Sequence, residues 1–222
     1  AVRGSCEWCN VSMSETFPSA GGADCAYECN TGESCFTTTY DIGAIHSPAA
    51  EAFKEAMRQA DAVILEYGDA TVTPLSHGTE IHMSFGYYCC YSSSDLATIK
   101  TVLRQVDWPL LNISYDRPVW RIDSSAASED PPADHYSIIV LLDDNSQTIM
   151  EAFIADVEDK IRAAGVDIHV PRANQEPFHS TLGVVSGSSF PAEAAIMAVN
   201  SAVPPGSWTS AGPITITKPG GF

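Results

Sequence analysis

Two short stretches, Ile81-His82-Met83-Ser84-Phe85-Gly86 and Phe178-His179-Ser180-Thr181-Leu182-Gly183, decide how this chain of 222 residues is read. Both run apolar-His-x-[Ser/Thr]-apolar-Gly. In an extended strand, side chains alternate between faces. His82 and Ser84 therefore share one face, with Gly86 leaving room above them, and Ile81, Met83 and Phe85 point into a core. The second stretch repeats this, with His179, Thr181 and Gly183 on one face. His-x-[Ser/Thr] alone is a weak signal, because four of the six histidines satisfy it: His77, His82, His135 and His179. The glycine four residues after the histidine singles out His82 and His179. His77 sits in an apparent turn, and His135 opens a strand without a repeat partner.

Working outward, the elements around each stretch also repeat. Residues 36–45 are β-rich, and Ser47-Pro48 supplies an N-cap and an N1 proline for a helix carrying Ala49, Phe53, Met57 and Ala60. A β-rich stretch, 62–73, follows, then the strand 80–88. Ser94-Asp95 starts a helix with Leu96, Ile99, Leu103 and Val106 on one side. Residues 108–122 are extended. After 134 come a strand from His135 to Leu142 and a helix carrying Ile149, Phe153, Val157 and Ile161. The strand 177–185, a helix over 191–203 and a strand over 214–217 complete the chain. Corresponding elements lie about 97 residues apart, as do His82 and His179. A period of that length implies two pseudo-symmetric halves. The expected architecture is α+β and bilobed, with an antiparallel sheet in each lobe, helices outside and a central cleft. The lobes span roughly 36–123 and 135–222, joined by the small, acidic, Pro-containing segment 124–134.

Composition bounds the function. Eleven Lys and Arg against 28 Asp and Glu leave a formal charge of −17 and a pI near 4.4. Such a chain repels polyphosphate and anionic lipid surfaces, so long nucleic acids and membranes are not expected partners, whereas a pocket for one or two phosphates is compatible. No run approaches the length of a membrane-spanning helix, and no secretory leader is visible at the start. Five of the seven cysteines (6, 9, 25, 29, 35, 89 and 90) fall within residues 1–35. That segment reads as disulfide-linked and the protein as secreted, with sequons at Asn10 and Asn112 in agreement. The rival, a zinc site on Cys6-x-x-Cys9 and Cys25-x-x-x-Cys29, lacks a completing pair. Neighbours such as Cys89 and Cys90 rarely bond each other and point to opposite faces of an extended segment. An odd count leaves one free thiol or one intermolecular bond.

Two imidazoles flanking a phosphodiester form a complete acid–base pair. One takes a proton from the attacking water or hydroxyl and the other protonates the leaving oxygen. Two hydroxyls hold the non-bridging oxygens. The chemistry calls for neither metal nor cofactor, and no P-loop, G-x-S-x-G or G-x-G-x-x-G motif competes. The pair His82-x-Ser84 and His179-x-Thr181 on strands of two repeated lobes resembles the two-histidine (2H) phosphoesterase superfamily over about 36–222. The resemblance implies a bilobed α+β fold with both motifs facing the cleft. It implies metal-independent action on 2′,3′-cyclic or 2′–5′-linked nucleotide phosphates, with His82 and His179 catalytic and Ser84 and Thr181 binding phosphate. It leaves open which histidine is the base. The acidic charge favours nucleotides or short oligonucleotides over RNA polymers. Tyr87 and Tyr88 follow the first motif as candidates for stacking on a base, Tyr88 lying on the His82 face by parity. The competing readings are a secreted protein that binds a phosphate ester in the same cleft without turnover, and a lyase or transferase acting on a non-nucleotide.

Overall fold

The computed structural model describes residues 32–66, 71–74, 81–122, 135–169, 171, 177–186, 191–208 and 211–222. Residues 1–31 of the cysteine-rich segment 1–35, the 124–134 linker and His77 lie outside them, while Cys35 lies in the first strand. The described residues form eight strands: β1 (Glu33–Asp41), β2 (Thr71–Pro74), β3 (His82–Ser92), β4 (Leu111–Ile113), β5 (Tyr115–Ile122), β6 (His135–Leu142), β7 (His179–Ser186) and β8 (Ile214–Ile216). Among the described residues, four α-helices and a short 3-10 helix (Pro205–Trp208) accompany them: α1 (Pro48–Leu65), α2 (Ser93–Gln105), α3 (Asp144–Ala163) and α4 (Ala192–Ala202).

Local chemistry sets the helix starts. Ser47 accepts from the Ala50 N–H at 3.1 Å ahead of Pro48 at the first helical position. Ser92 accepts from the Asp95 N–H at 3.1 Å, and Asp143 accepts from the Ser146 N–H at 2.7 Å. Each such cap stabilises its helix by about 1 kcal/mol. The stretch 62–73, expected as β-rich, divides instead. Its first residues complete α1, and only Thr71–Pro74 forms a strand. Ile64 continues the buried helical stripe begun by Phe53, Met57 and Ala60, so burial outweighs its β-branched preference.

The strands form one six-stranded antiparallel sheet in the order β1-β3-β7-β6-β5, with β2 also paired to β7, and a two-stranded sheet β4-β8. The α+β class and antiparallel pairing follow the expectation. The expected sheet per lobe is refined: strands from both halves join into one sheet where Met83 of β3 opposes Ser180 of β7. The repeat is visible in the topology. β1-β3 mirrors β6-β7 across that junction, and β4 of the first half pairs with β8 of the second, Asn112 opposite Thr215. Each half also reaches onto the other's edge. β5, first-half by sequence, pairs with β6, and Gly220 near the C-terminus bridges Thr39 of β1.

One core unites the buried residues of all four helices with Tyr40, Met83, Ile138, Val140 and Leu182 of the sheet. Phe53 of α1 stacks on Tyr115 of β5 with centroids 4.0 Å apart, and Phe85 packs edge-on against Trp108. Burying each such side chain contributes roughly 1.5–3 kcal/mol. Met83 and Ser180 face this core, so their neighbours His82, Ser84, His179 and Thr181 project from the opposite face.

Candidate active site

With Met83 opposite Ser180 in an antiparallel pair, the register sets His82 across from Thr181 and Ser84 across from His179. All four side chains are half-buried. Directly opposed residues have Cβ atoms about 4.5–5.5 Å apart, and diagonal neighbours such as His82 and His179 about 7–8 Å. The two histidines and two hydroxyls thus form a square on adjacent central strands, a span that one phosphoryl group fills. The sequence places the motifs in different halves of the chain, and the β3–β7 pairing brings them together.

The square is anchored from behind and at its ends. Ser180, fully buried between His179 and Thr181, hydrogen-bonds the Tyr115 hydroxyl at 2.6 Å. Burial pushes the Tyr115 phenol well above its usual range. Gln147 in the first turn of α3 clamps the backbone just before His179: its Nε2 donates to the Phe178 carbonyl at 2.7 Å and its Oε1 accepts from the Phe178 N–H at 2.8 Å. His179 Nδ1 lies 2.8 Å from the Pro177 carbonyl. A carbonyl oxygen only accepts, so Nδ1 is the donor and the neutral ring keeps its lone pair on Nε2. At the other histidine, the Gly43 N–H donates to the Ile81 carbonyl at 2.8 Å, and Asp41 Oδ1 accepts from the Ala44 N–H at 3.0 Å. Neither Gln147 nor Asp41 stands out in the sequence. Gln147 is 31 residues from its partner, and its role rests on a tertiary contact.

The glycine of each motif plays a different part from the one expected. On β3, Ser84 opposes Thr39 but Gly86 opposes Thr38, so Phe85 is an extra residue. On β7, Thr181 opposes Ile139 but Gly183 opposes Ile138, so Leu182 is extra. Both motifs therefore carry a β-bulge at the same place, and the bulge moves the glycine to the core-facing side. The room above Gly86 is filled. A Cβ there would sit 2.9 Å from the Tyr88 hydroxyl.

The same bulge reverses the parity of the two tyrosines. Tyr88 opposes Phe36 and stacks on it at 5.0 Å, buried at 4% exposure on the helix side. Tyr87 opposes Thr37, on the face of Thr39 and Asp41, and is half-buried. Tyr88 is thus withdrawn from the base-stacking role, and Tyr87 lies along the site's face. Cys89 and Cys90 are buried further along β3; the framework expected of the N-terminal cysteines falls outside the described residues. Among the described residues no group of three or more His, Cys, Asp or Glu is placed to hold a metal ion, and no helix is long and apolar enough to cross a membrane. Among the described residues, the strands β1, β3, β6 and β7 contain no Lys or Arg.

No family model matches the chain, and no curated protein matches it. Among solved structures, Kluyveromyces marxianus Usb1 with uridine monophosphate is similar at 12% identity with a TM-score of 0.49, and a second structure of Kluyveromyces marxianus Usb1 at 11% with 0.48. Each alignment covers 78% of this chain and 85% of the other.

Proposed function

We propose that the chain is a metal-independent phosphodiesterase that opens 2′,3′-cyclic or 2′-linked nucleotide phosphates by two-histidine acid–base catalysis. The observation that carries this is the square of His82, Thr181, Ser84 and His179 on one face of the β3–β7 pair. A phosphodiester seated over it presents its non-bridging oxygens to Ser84 and Thr181 as charge builds on phosphorus. One imidazole takes a proton from water as its oxygen bonds to phosphorus. The other gives a proton to the oxygen whose bond to phosphorus breaks. The protons balance, and one transfer between the rings through solvent restores the starting state.

The proposal extends to compartment. The five cysteines of residues 1–35, the adjacent Cys89 and Cys90 and the Asn10 and Asn112 sequons favour a disulfide-linked, secreted glycoprotein. Asn112 is exposed on β4, where its Oδ1 accepts from Thr215 at 2.8 Å. A mass shift on enzymatic deglycosylation of protein from a secreting eukaryotic host supports this, and unmodified asparagines from that host oppose it.

The test of activity is a screen of 2′,3′-cyclic nucleotides, 2′–5′ and 3′–5′ dinucleotides and cyclic dinucleotides, with EDTA present. Turnover of a cyclic or 2′-linked phosphate in EDTA, with a bell-shaped pH–rate profile, supports the proposal. Binding without product after long incubation returns the chain to the class of phosphate-ester binders.

A further inference from the structure

His179 is held from two directions by parts of the chain distant in sequence. Behind it, the Ser180 Oγ meets the Tyr115 hydroxyl at 2.6 Å. Ahead of it stands one peptide group, made of the Pro177 carbonyl and the Phe178 N–H. A peptide group is planar, so turning one end turns the other. The Phe178 N–H donates to Gln147 Oε1 at 2.8 Å, and the Pro177 carbonyl accepts from His179 Nδ1 at 2.8 Å. Two hydrogen bonds therefore run from the Gln147 amide, through a single peptide group, to the imidazole. Phe178 is almost fully buried, where a backbone N–H needs a protein partner.

Gln147 is set in turn by the start of α3. Asp143 caps that helix, its own N–H donates to the Ser114 carbonyl at 2.9 Å, and Ser146 Oγ accepts from the Ser114 N–H at 2.9 Å. Gln147 Nε2 donates to the Phe178 carbonyl at 2.7 Å, so the amide has one orientation that satisfies both backbone groups of Phe178. Before the other histidine, the Ile81 carbonyl takes its bond from a backbone group, the Gly43 N–H. The support of His179 comes from a side chain, and a substitution can remove it.

We infer that Gln147 is a positioning residue that fixes the orientation and tautomer of His179 through the Pro177–Phe178 peptide group. Its effect on turnover rests on the proposed phosphodiesterase reading; its effect on the ring rests on the hydrogen bonds alone. A carbonyl only accepts, so neutral His179 carries its proton on Nδ1 and presents Nε2. Nε2 is then the atom that exchanges a proton at the substrate, whichever of the two transfers His179 performs. Hydrogen bonds in a chain polarise one another, so the Gln147 acceptor also strengthens the bond at the far end of the peptide group. Without Gln147 that group turns to find its N–H a partner, the carbonyl leaves Nδ1, and the ring proton divides between the two nitrogens.

Nitrogen NMR of the imidazoles, at a pH where they are neutral, reads the tautomer independently of activity. The His179 signals are those lost in His179→Ala. The parent shows a protonated Nδ1 and a bare Nε2, and the opposite tautomer in the parent overturns the relay. Gln147→Met, close to glutamine in shape but without its polar atoms, moves the His179 signals toward a mixture. Gln147→Glu keeps an oxygen for the Phe178 N–H and gives up the bond to the Phe178 carbonyl, which still accepts from the Leu142 N–H at 3.1 Å. It retains the parent tautomer, and because it leaves the Phe178 N–H satisfied it carries the test even where Gln147→Met loses the native fold; a shifted tautomer in Gln147→Glu overturns the relay. On a 2′,3′-cyclic nucleotide, Gln147→Met lowers kcat about 10- to 100-fold, the scale of a misplaced catalytic group, and leaves KM within about twofold. In the His179→Ala background the same change lowers kcat no further. A parent tautomer that persists in Gln147→Met, or a loss that multiplies with that of His179→Ala, overturns the role of Gln147 and leaves the phosphodiesterase reading standing. A parent that turns over no phosphodiester, while its His179 tautomer still answers to Gln147, supports the relay and removes that reading.

Discussion

Replacing Tyr115 with Phe removes one oxygen atom from the far side of the sheet, directly behind the site. The Tyr115 hydroxyl and the Ser180 Oγ are 2.6 Å apart, and both residues are almost fully buried. Tyr115→Phe leaves the Ser180 hydroxyl without this partner, between His179 and Thr181, where water does not reach it. A buried polar group stripped of its bond costs about 1–3 kcal/mol. In a protein of this length that corresponds to a fall in Tm of roughly 2–4 °C per kcal/mol. Ser180→Ala has a similar cost, because it orphans the tyrosine hydroxyl instead. The double variant, Tyr115→Phe with Ser180→Ala, removes both polar atoms, so its destabilisation falls short of the sum of the two singles by about 1 kcal/mol or more. Urea denaturation of the four proteins, fitted with a common slope, measures the cycle. Additivity within about 0.5 kcal/mol would show that the two hydroxyls are not coupled, and the account of how β7 is anchored beneath His179 would fail.

Three further outcomes follow from the same structure. Burial raises Tyr40, Tyr88 and Tyr115 well above the ordinary phenol range and pushes Tyr91 up to about 12. In each, the folded state keeps its proton to higher pH than the unfolded chain. Stability is therefore whole below about pH 10 and is lost above it, approaching roughly 5 kcal/mol per pH unit for four such groups; equilibrium unfolding from pH 9 to 12 checks this, and a flat profile contradicts it. Gly86→Ala forces a Cβ against the Tyr88 ring, which is pinned by its stack on Phe36, and costs about 1–3 kcal/mol by overpacking. Tyr88→Phe removes a buried hydroxyl that has no hydrogen-bond partner among the described residues, so chemical denaturation finds it neutral or stabilising by up to about 1 kcal/mol, and it relieves part of the Gly86→Ala cost.

The sequence carries the elements of this fold better than their assembly. Ser47-Pro48 marks the start of α1 because capping is local chemistry, and the repeat of about 97 residues is a pattern of whole elements that survives errors at their ends. What joins the two halves is non-local. Met83 meets Ser180 across 97 residues, and nothing in either strand's own pattern names its partner. The exchange of edge strands, β5 onto β6 and Gly220 onto β1, is hidden for the same reason. The site residues follow this division. His82, Ser84, His179 and Thr181 are legible because two stretches match, and their faces agree because no bulge lies between each histidine and its hydroxyl. Parity fails one residue later. The glycine that looks like an opening is the mark of a bulge, so Gly86 turns toward the core, Tyr88 goes with it and Tyr87 takes the exposed face. Gln147 acts through a helix contact with the backbone before His179, which a linear pattern does not encode.

The most direct test of the central claim is single-turnover cleavage of a 2′,3′-cyclic nucleotide in EDTA by the parent, His82→Ala, His179→Ala and the double variant. If the two rings serve one phosphoryl centre, each single change lowers the rate about 100-fold or more, and the double variant falls little further, because residues that act as a unit are not additive. Parent-level cleavage in either single variant, or losses that simply multiply in the double, would mean that His82 and His179 do not work together on one bond.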